Sequence, residues 1–224
     1  MRLWRCWRYG LLVNELRARP ERPVLSSLPT LPDLPTSATT LDPAVLIPAP
    51  YLIQRAGWNA LPLDHTAENE NGFFSEANPE GWRTYTEPLA QVYTTAVIHH
   101  TVIYEGDDLL TMQEAQRLHQ QDRKWADVGY HYLIGKAGAI YEGRSVTVRG
   151  VHTAGYNTGT VGVCLMGNFM VDLPTAPQLQ ALRLVLGWLA QGLQLTHLAS
   201  HRQFNPETLC PGDNLQPLSA GIGR

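Results

Sequence analysis

The sequence predicts an α/β fold in which helices pack on a mixed central β-sheet. Two apolar runs without alternation, residues 94–98 and 161–166, are typical of strands that are buried on both faces. Two further segments, about residues 111–123 and 175–193, carry apolar residues at helical spacing. Strands that are separated by helices of this length form a sheet with helices packed against it. We therefore expect a single folded domain of this class.

The first 50 residues differ from the rest of the chain in composition. Residues 1–50 contain eight of the 16 prolines and keep neither a helical nor a strand period. Because proline fixes φ and lacks a backbone donor, we expect a proline-rich tail or linker here. The folded domain is expected over residues 51–224. Its early aromatic residues are expected in a loop that packs on the core: Trp58, Phe73, Phe74 and Trp82.

The first half of the domain is expected to contain a strand, a helix and a hairpin. The first apolar run ends at His99, and a helix is expected to follow it. Asp107 and Asp108 supply acceptors for the N-terminus of that helix. A glycine-bearing turn then predicts a hairpin of two strands over residues 130–142.

The second half of the domain is expected to contain a buried strand, a long helix and a C-terminal loop. The helix over residues 175–193 follows from leucines at i, i+3, i+7 and i+10, with Gly192 as its expected end. Residues 201–215 keep no period, so we expect a loop there. Ligand sites in α/β sheets cluster at strand ends and in loops, which is where His99 and this loop lie.

Charge and hydropathy exclude two classes of function. The net charge of −3 gives no basic field for nucleic acid, so we expect no nucleic-acid partner. No apolar run approaches the roughly 18 residues that a transmembrane helix requires. The N-terminus is basic, as in a signal peptide, but Arg5, Arg8 and Asn14 interrupt the apolar core that such a peptide needs. We therefore assign neither a membrane span nor an export signal.

Residue types that bind metals are concentrated in the C-terminal half. His201 and Cys210 bracket an eight-residue loop that contains Pro206, a segment stiff enough to present both side chains to one point. With His99 from the end of a buried strand, they provide the three protein ligands of a catalytic zinc site. Imidazole and thiolate favour zinc over magnesium or calcium, and such a site implies metal-assisted hydrolysis. The alternative for Cys210 is a buried thiol that acts as a small hydrophobe.

Six motifs follow one another between residues 94 and 218. They are Val97–Thr101, Trp125–His131, Ile140–Arg144, His152–Asn157, Val161–Phe169, and Ser200–Arg202 with Cys210–Gly212. In this order they resemble the type 2 N-acetylmuramoyl-L-alanine amidases, a family shared by phage lysozyme-like amidases, bacterial amidases and peptidoglycan recognition proteins. The resemblance implies a mixed sheet with packed helices, and it implies that His99, His201 and Cys210 hold Zn²⁺.

The resemblance also implies catalytic roles for three residues around the metal. Tyr130 would place its hydroxyl near the zinc-bound water or the developing oxyanion. His152 would contact substrate or donate a hydrogen bond in the transition state. Thr208 stands where some members of the family have a catalytic lysine, and it offers only a hydroxyl.

Substrate contacts are expected from three further residues, each with a structural alternative. Tyr156 and Asn157 would contact the stem peptide or serve the turn that contains them. Arg144 would contact substrate or act as a structural ion-pair partner.

The other histidines and Cys164 are expected to be structural. His100 should point to the opposite face of its strand from His99, so we interpret it as a core residue or as one that supports a ligand. His119, His131 and His197 are assigned structural roles, and Cys164 is assigned to a buried thiol in an apolar strand.

We therefore expect a zinc-dependent amidase that hydrolyses the amide bond between N-acetylmuramic acid and L-alanine in peptidoglycan. Its partners would be peptidoglycan or muropeptides, its site of action the cell envelope or the extracellular space, and its state a monomer. A non-catalytic peptidoglycan-binding receptor or sensor is one alternative. A recycling amidase for soluble anhydro-muropeptides is the other. The sequence leaves the choice between diaminopimelate and lysine in the stem peptide open.

Overall fold

The computed structural model describes residues 46–216. The strands are β1 (Leu52–Ile53), β2 (Thr95–His100), β3 (Tyr132–Ile134), β4 (Ile140–Glu142), β5 (Thr160–Leu165) and β6 (His197–Ser200). The helices are α1 (Leu89–Val92), α2 (Asp108–Gln121), α3 (Ala176–Leu193) and α4 (His201–Phe204), with a 3-10 helix at Arg55–Trp58 after β1.

The strands form one six-stranded sheet in the order β1-β4-β3-β5-β2-β6. Neighbouring strands are parallel except β3 and β4, which form the predicted hairpin. A mixed sheet with packed helices confirms the predicted α/β fold class. Because β2 is parallel to both β5 and β6, the carboxyl ends of these three strands lie at the same edge of the sheet.

Two apolar clusters cover the two faces of this sheet. On one face, Ile98 and Val163 belong to a cluster that includes the apolar side of α3. On the other face, Cys164 packs in a cluster with Met112 of α2. Successive residues of a strand point to opposite faces, so His99, which follows Ile98, points to the α2 face.

Helix α2 begins earlier than the hydrophobic spacing predicted. It starts at Asp108 rather than near Thr111, because the Asp107 carboxylate accepts hydrogen bonds from the backbone amides of Leu109 and Leu110. This cap satisfies two donors that have no partner inside the helix and thereby extends the helix by a turn.

The segment around the expected ligand loop is more regular than predicted. Residues 197–200 form the edge strand β6 beside β2, and residues 201–204 form α4 within the region predicted to be a loop. Both elements have only four residues. Such short elements show little periodicity of their own, and β6 exists because β2 supplies its backbone partners.

The early aromatic residues separate into two groups. Trp58 and Trp82 are buried and pack on the core as predicted. Phe73 and Phe74 are 66% and 36% exposed, so the prediction that they pack on the core is wrong. Instead, the Arg83 guanidinium lies 4.3 Å from the centroid of the Phe74 ring.

Residues 46–50 are the described part of the predicted tail, and they contact helix α3. The Ile47 amide donates to the Oε1 atom of Gln191 at 2.8 Å. The Ile47 side chain lies against Gly187, where an added Cβ would be 2.9 Å from its Cδ1 atom. The rest of the predicted tail, residues 1–45, lies outside the described residues. Within residues 46–216, no helix is both long and apolar enough to cross a bilayer.

We expect Thr175→Ala to lower the free energy of unfolding by about 1–2 kcal/mol, because it removes the N-cap of α3. The Thr175 hydroxyl accepts from the Gln178 amide at 3.1 Å and donates to the Lys136 carbonyl at 2.7 Å. Thr175→Ser keeps this hydroxyl and serves as the control. Urea denaturation measures the effect, and equal stability of the alanine variant and the wild type would contradict the role of the cap.

Candidate functional site

Three potential metal ligands converge at the carboxyl edge of the sheet. His99 lies near the end of β2, His201 begins α4 directly after β6, and Cys210 follows on the next loop. One ligand atom from each residue lies within 4.8 Å of the other two. Nδ1 of His99 is 3.5 Å from Sγ of Cys210, and the His99 and His201 ring centroids are 4.7 Å apart.

The chemistry of these donors fits a zinc ion. Burial lowers the pKa of His99 well below its usual value and lowers that of His201 to about 4, so both imidazoles are neutral and can offer a lone pair. Burial raises the pKa of the Cys210 thiol to about 12. A buried thiol is neutral on its own, whereas coordination to a cation deprotonates it, so the site supplies a soft anionic ligand only where a metal binds.

Arg202 ties the Cys210 loop to helix α4. Its guanidinium donates to the backbone carbonyls of Thr208 at 3.2 Å and Leu209 at 2.8 Å. It also forms an ion pair with Asp213 at 2.7 Å. One side chain next to His201 therefore contacts both sides of Cys210, which fixes the separation of the second and third ligands.

Tyr130 lies beside the first ligand. Its ring centroid is 5.1 Å from that of His99, and the residue is only partly buried by its neighbours. Desolvation by burial raises the pKa of the phenol well above its usual value. The hydroxyl therefore stays protonated at neutral pH and remains able to donate a hydrogen bond.

His152 also lies next to His99. Its Nδ1 atom lies 3.1 Å from Nε2 of His99 and 2.9 Å from the Thr153 hydroxyl. The ring packs on two glycines, since an added Cβ at Gly150 or Gly162 would lie 2.5 Å or 2.7 Å from its Cδ2 atom. Burial lowers the pKa of His152 well below its usual value, so the ring is neutral.

The turn after His152 is organised by Asn157. Its Oδ1 atom accepts hydrogen bonds from the amides of His152 at 2.8 Å and Thr153 at 2.7 Å. The Asn157 oxygen therefore serves the turn, which is the alternative given for this residue. Tyr156 belongs to the same turn and is partly exposed, and its ring centroid is 4.9 Å from that of Phe204 on α4.

The position of Arg144 favours a structural role over contact with substrate. Arg144 is fully buried and forms an ion pair with Glu70, so its guanidinium faces the protein interior rather than a groove. This placement corrects the expected substrate contact and supports the ion-pair alternative.

The Thr208 oxygen accepts a hydrogen bond from the Cys210 amide at 3.3 Å, which leaves the hydroxyl proton available for donation.

Three other histidines accept hydrogen bonds from backbone amides within the fold. Nδ1 of His100 accepts from the Phe169 amide at 3.2 Å, in the cluster on the α3 face. Nδ1 of His119 accepts from the Gly129 amide at 3.0 Å, next to the tyrosine motif. His131 accepts from the Gly162 amide at 2.9 Å. These contacts agree with the structural roles expected for them.

Two contributors to the site were not identified from the sequence. Arg202 was visible as the neighbour of His201 in the last motif, but the contacts that hold the Cys210 loop include backbone carbonyls, which no residue pattern specifies. Glu70 lies in the irregular upstream stretch, and its partner Arg144 is 74 residues away.

The residues of the candidate site lie within a part of the chain that matches a known protein family. A family model described as N-acetylmuramoyl-L-alanine amidase matches residues 89–213. Peptidoglycan-recognition protein SC2 of Drosophila melanogaster is 34% identical over 134 residues, which cover 57% of this chain and 72% of that protein. A Homo sapiens protein named N-acetylmuramoyl-L-alanine amidase is 39% identical over 111 residues, 48% of this chain and 19% of that protein.

A solved structure shows the same similarity in three dimensions. The crystal structure of Drosophila peptidoglycan recognition protein SD matches with a TM-score of 0.60 and 30% sequence identity. The match covers 76% of this chain and 93% of that one. It therefore extends upstream beyond the shorter region of the family model.

We expect Asn157→Leu to destabilise the protein by about 2–4 kcal/mol, because two buried amides lose their acceptor. Asn157→Asp keeps an oxygen in the same place and should retain most of the stability. Urea denaturation of both variants against the wild type makes the comparison. Equal stability of the leucine and aspartate variants would show that the turn does not depend on this oxygen.

Proposed function

Because the chain belongs to the N-acetylmuramoyl-L-alanine amidase family, we propose that it is a zinc-dependent enzyme that hydrolyses the amide bond between N-acetylmuramic acid and L-alanine in peptidoglycan. The observation that carries the proposal is the convergence of His99, His201 and Cys210 within 4.8 Å. A receptor that only binds peptidoglycan does not need a complete set of three metal ligands. The names of the relatives, which refer to peptidoglycan recognition and to the amidase, support the substrate class.

The proposed chemistry is the addition of water to the lactyl carbonyl, followed by loss of the L-alanine amine. A zinc ion held by the three ligands would supply a Lewis acid and lower the pKa of a coordinated water to about 7. We propose that the Tyr130 hydroxyl donates a hydrogen bond to the oxyanion that forms at the carbonyl oxygen. Its raised pKa supports this role, because the proton stays on the phenol at the working pH.

His152 and Thr208 are proposed to assist from two sides of the ligand cluster. His152 lies 3.1 Å from the His99 nitrogen that faces away from Cys210, so it can fix the orientation of the His99 ring. A direct contact of His152 with substrate stays a prediction. The Thr208 hydroxyl can donate a second hydrogen bond to the oxyanion, without the positive charge that a lysine would bring.

Substrate binding is proposed to involve Tyr156, which is partly exposed beside the site, together with the turn that Asn157 holds. Peptidoglycan or soluble muropeptides are the proposed partners. Binding without cleavage, as in a receptor, and cleavage restricted to soluble anhydro-muropeptides are the two rival functions.

We expect the purified protein to carry about one zinc per chain, to lose hydrolysis on chelation and to regain it when zinc is returned. Cys210→Ala should lose the metal, because the two remaining imidazoles form an incomplete site. Cys164→Ala removes the other described thiol, which is buried, and should keep the metal. Elemental analysis after dialysis measures both. Metal-free wild type with full activity would contradict the proposal.

The same variants separate an enzyme from a receptor. Sedimentation with purified sacculi measures binding, and mass spectrometry of the released muropeptides identifies the bond that is cut. We expect Cys210→Ala to sediment with sacculi and to release nothing. Zinc-loaded wild type that sediments but releases no peptide would favour the receptor, and release only from soluble anhydro-muropeptides would favour the recycling enzyme.

We expect Tyr130→Phe to keep its zinc and its stability but to lower kcat by about 100-fold with little change in KM. The reason is that a donor to the oxyanion acts in the transition state rather than on bound substrate. Steady-state kinetics on a soluble muramoyl-peptide separates the two constants. An unchanged kcat would reduce Tyr130 to a packing residue.

A further inference from the structure

We propose that Arg144, held by Glu70, is a positioning residue that fixes the two loops carrying Tyr130 and His152 relative to each other. The inference rests on the proposed function for its effect on catalysis. Its structural basis is a set of contacts made by a single buried guanidinium, most of them with backbone carbonyls.

The first group of contacts anchors the residues before Tyr130. The Arg144 side chain donates to the carbonyl of Val128 at 3.0 Å and to that of Asp127 at 3.3 Å. Oε2 of Glu70 accepts from the amide of Ala126 at 2.9 Å. Three consecutive residues of the Tyr130 loop are therefore bound by the two members of one ion pair.

The second group of contacts reaches the loop that leads to His152. The same guanidinium donates to the Arg149 carbonyl at 3.1 Å, three residues before His152. The two loops also meet directly, since the Val151 amide donates to the Gly129 carbonyl at 3.0 Å. Arg144 thus lies at the junction of the loops that carry Tyr130 and His152, whose rings both lie next to His99.

The burial of this ion pair indicates a role in geometry rather than in stability. The side chains of Arg144 and Glu70 are 0% and 1% exposed. Removing two charges from water costs about as much as their attraction returns, so a buried pair adds little net stability. The planar guanidinium of Arg144 can instead donate to several fixed carbonyls at once, which the ammonium group of a lysine cannot do.

The upstream segment takes part in the same arrangement. Glu70 and Arg55 both precede residues 89–213, the region that the family model matches. Arg55 binds the Asp127 carboxylate at 2.7 Å and 3.3 Å, and the Gln116 amide binds it at 2.7 Å. Arg144, the ion-pair partner of Glu70, therefore binds the backbone carbonyl of Asp127, while Arg55 and Gln116 bind its side chain.

Two variants test the positioning role. Arg144→Lys keeps a charge for Glu70 but loses the fork that reaches the carbonyls, and Glu70→Met with Arg144→Met removes both charges together. We expect both proteins to fold and to bind zinc, with kcat at least about tenfold lower and KM within about twofold of wild type, because a displaced catalytic group costs rate rather than affinity.

Hydrogen exchange gives a readout that does not depend on activity. We expect the amides of residues 126–130 and 149–152 to exchange at least about tenfold faster in both variants. Gln178→Met is the matched control, since Gln178 is also fully buried and donates to two carbonyls, those of Ile134 and Met166. It should lower stability without changing exchange in the two loops or kcat.

The outcomes distinguish this inference from the proposed function. Wild-type kcat and wild-type exchange in the zinc-loaded Arg144→Lys variant would overturn the inference. A raised KM with unchanged kcat would overturn it as well, because Arg144 would then shape binding. Wild-type protein without amidase activity would instead contradict the proposed function, and the exchange comparison would still decide whether Arg144 holds the two loops.

Discussion

The parallel pairing of β2 with β6 is the constraint on which the site depends. Ile98 lies opposite Ser200 in this pair, so the residues that follow, His99 and His201, leave adjacent strand ends. The backbone ladder between the two strands sets their separation. Folding therefore provides most of the ordering that brings these two potential metal ligands together, and only the loop that carries Cys210 has to be held separately.

Side chains hold the loops around this edge, where the backbone has no regular partner. Arg202, Asn157 and Arg144 each bind backbone atoms of two or more loop residues. These bonds satisfy polar groups that a sheet or helix would otherwise pair, and the buried bonds of Arg144 are the most costly to lose. Tyr130 and His152 are thus carried by loops whose backbone is held by side-chain hydrogen bonds.

The features that could be predicted from the sequence are those that depend on residues close together in the chain. The apolar run before His99 and the amphipathic pattern of α3 each indicate their structure from neighbouring residues alone. Contacts between distant parts of the chain could not be predicted in this way. Nothing near Arg144 in sequence indicates that its partner is Glu70, 74 residues away.

Short elements and some side-chain roles also depend on contacts with distant parts of the chain. β6 has four residues and is a strand because β2 lies beside it, so its own sequence predicts little. Asn157 could be assigned either to substrate or to its turn, and only the direction of its oxygen supports the second. In both cases the deciding information is tertiary.

The two glycines that pack against the His152 ring have a consequence for recognising the same arrangement of side chains in other sequences. An alanine at Gly150 or Gly162 would place its methyl group inside the imidazole ring's present volume, although every ligand and the tyrosine would remain in the sequence. A search that checks only His99, His201 and Cys210 would accept such a chain as intact. Glycine at these two positions is therefore a condition for the observed packing of His152, and a sequence signature of this arrangement has to include it together with His99, His201 and Cys210.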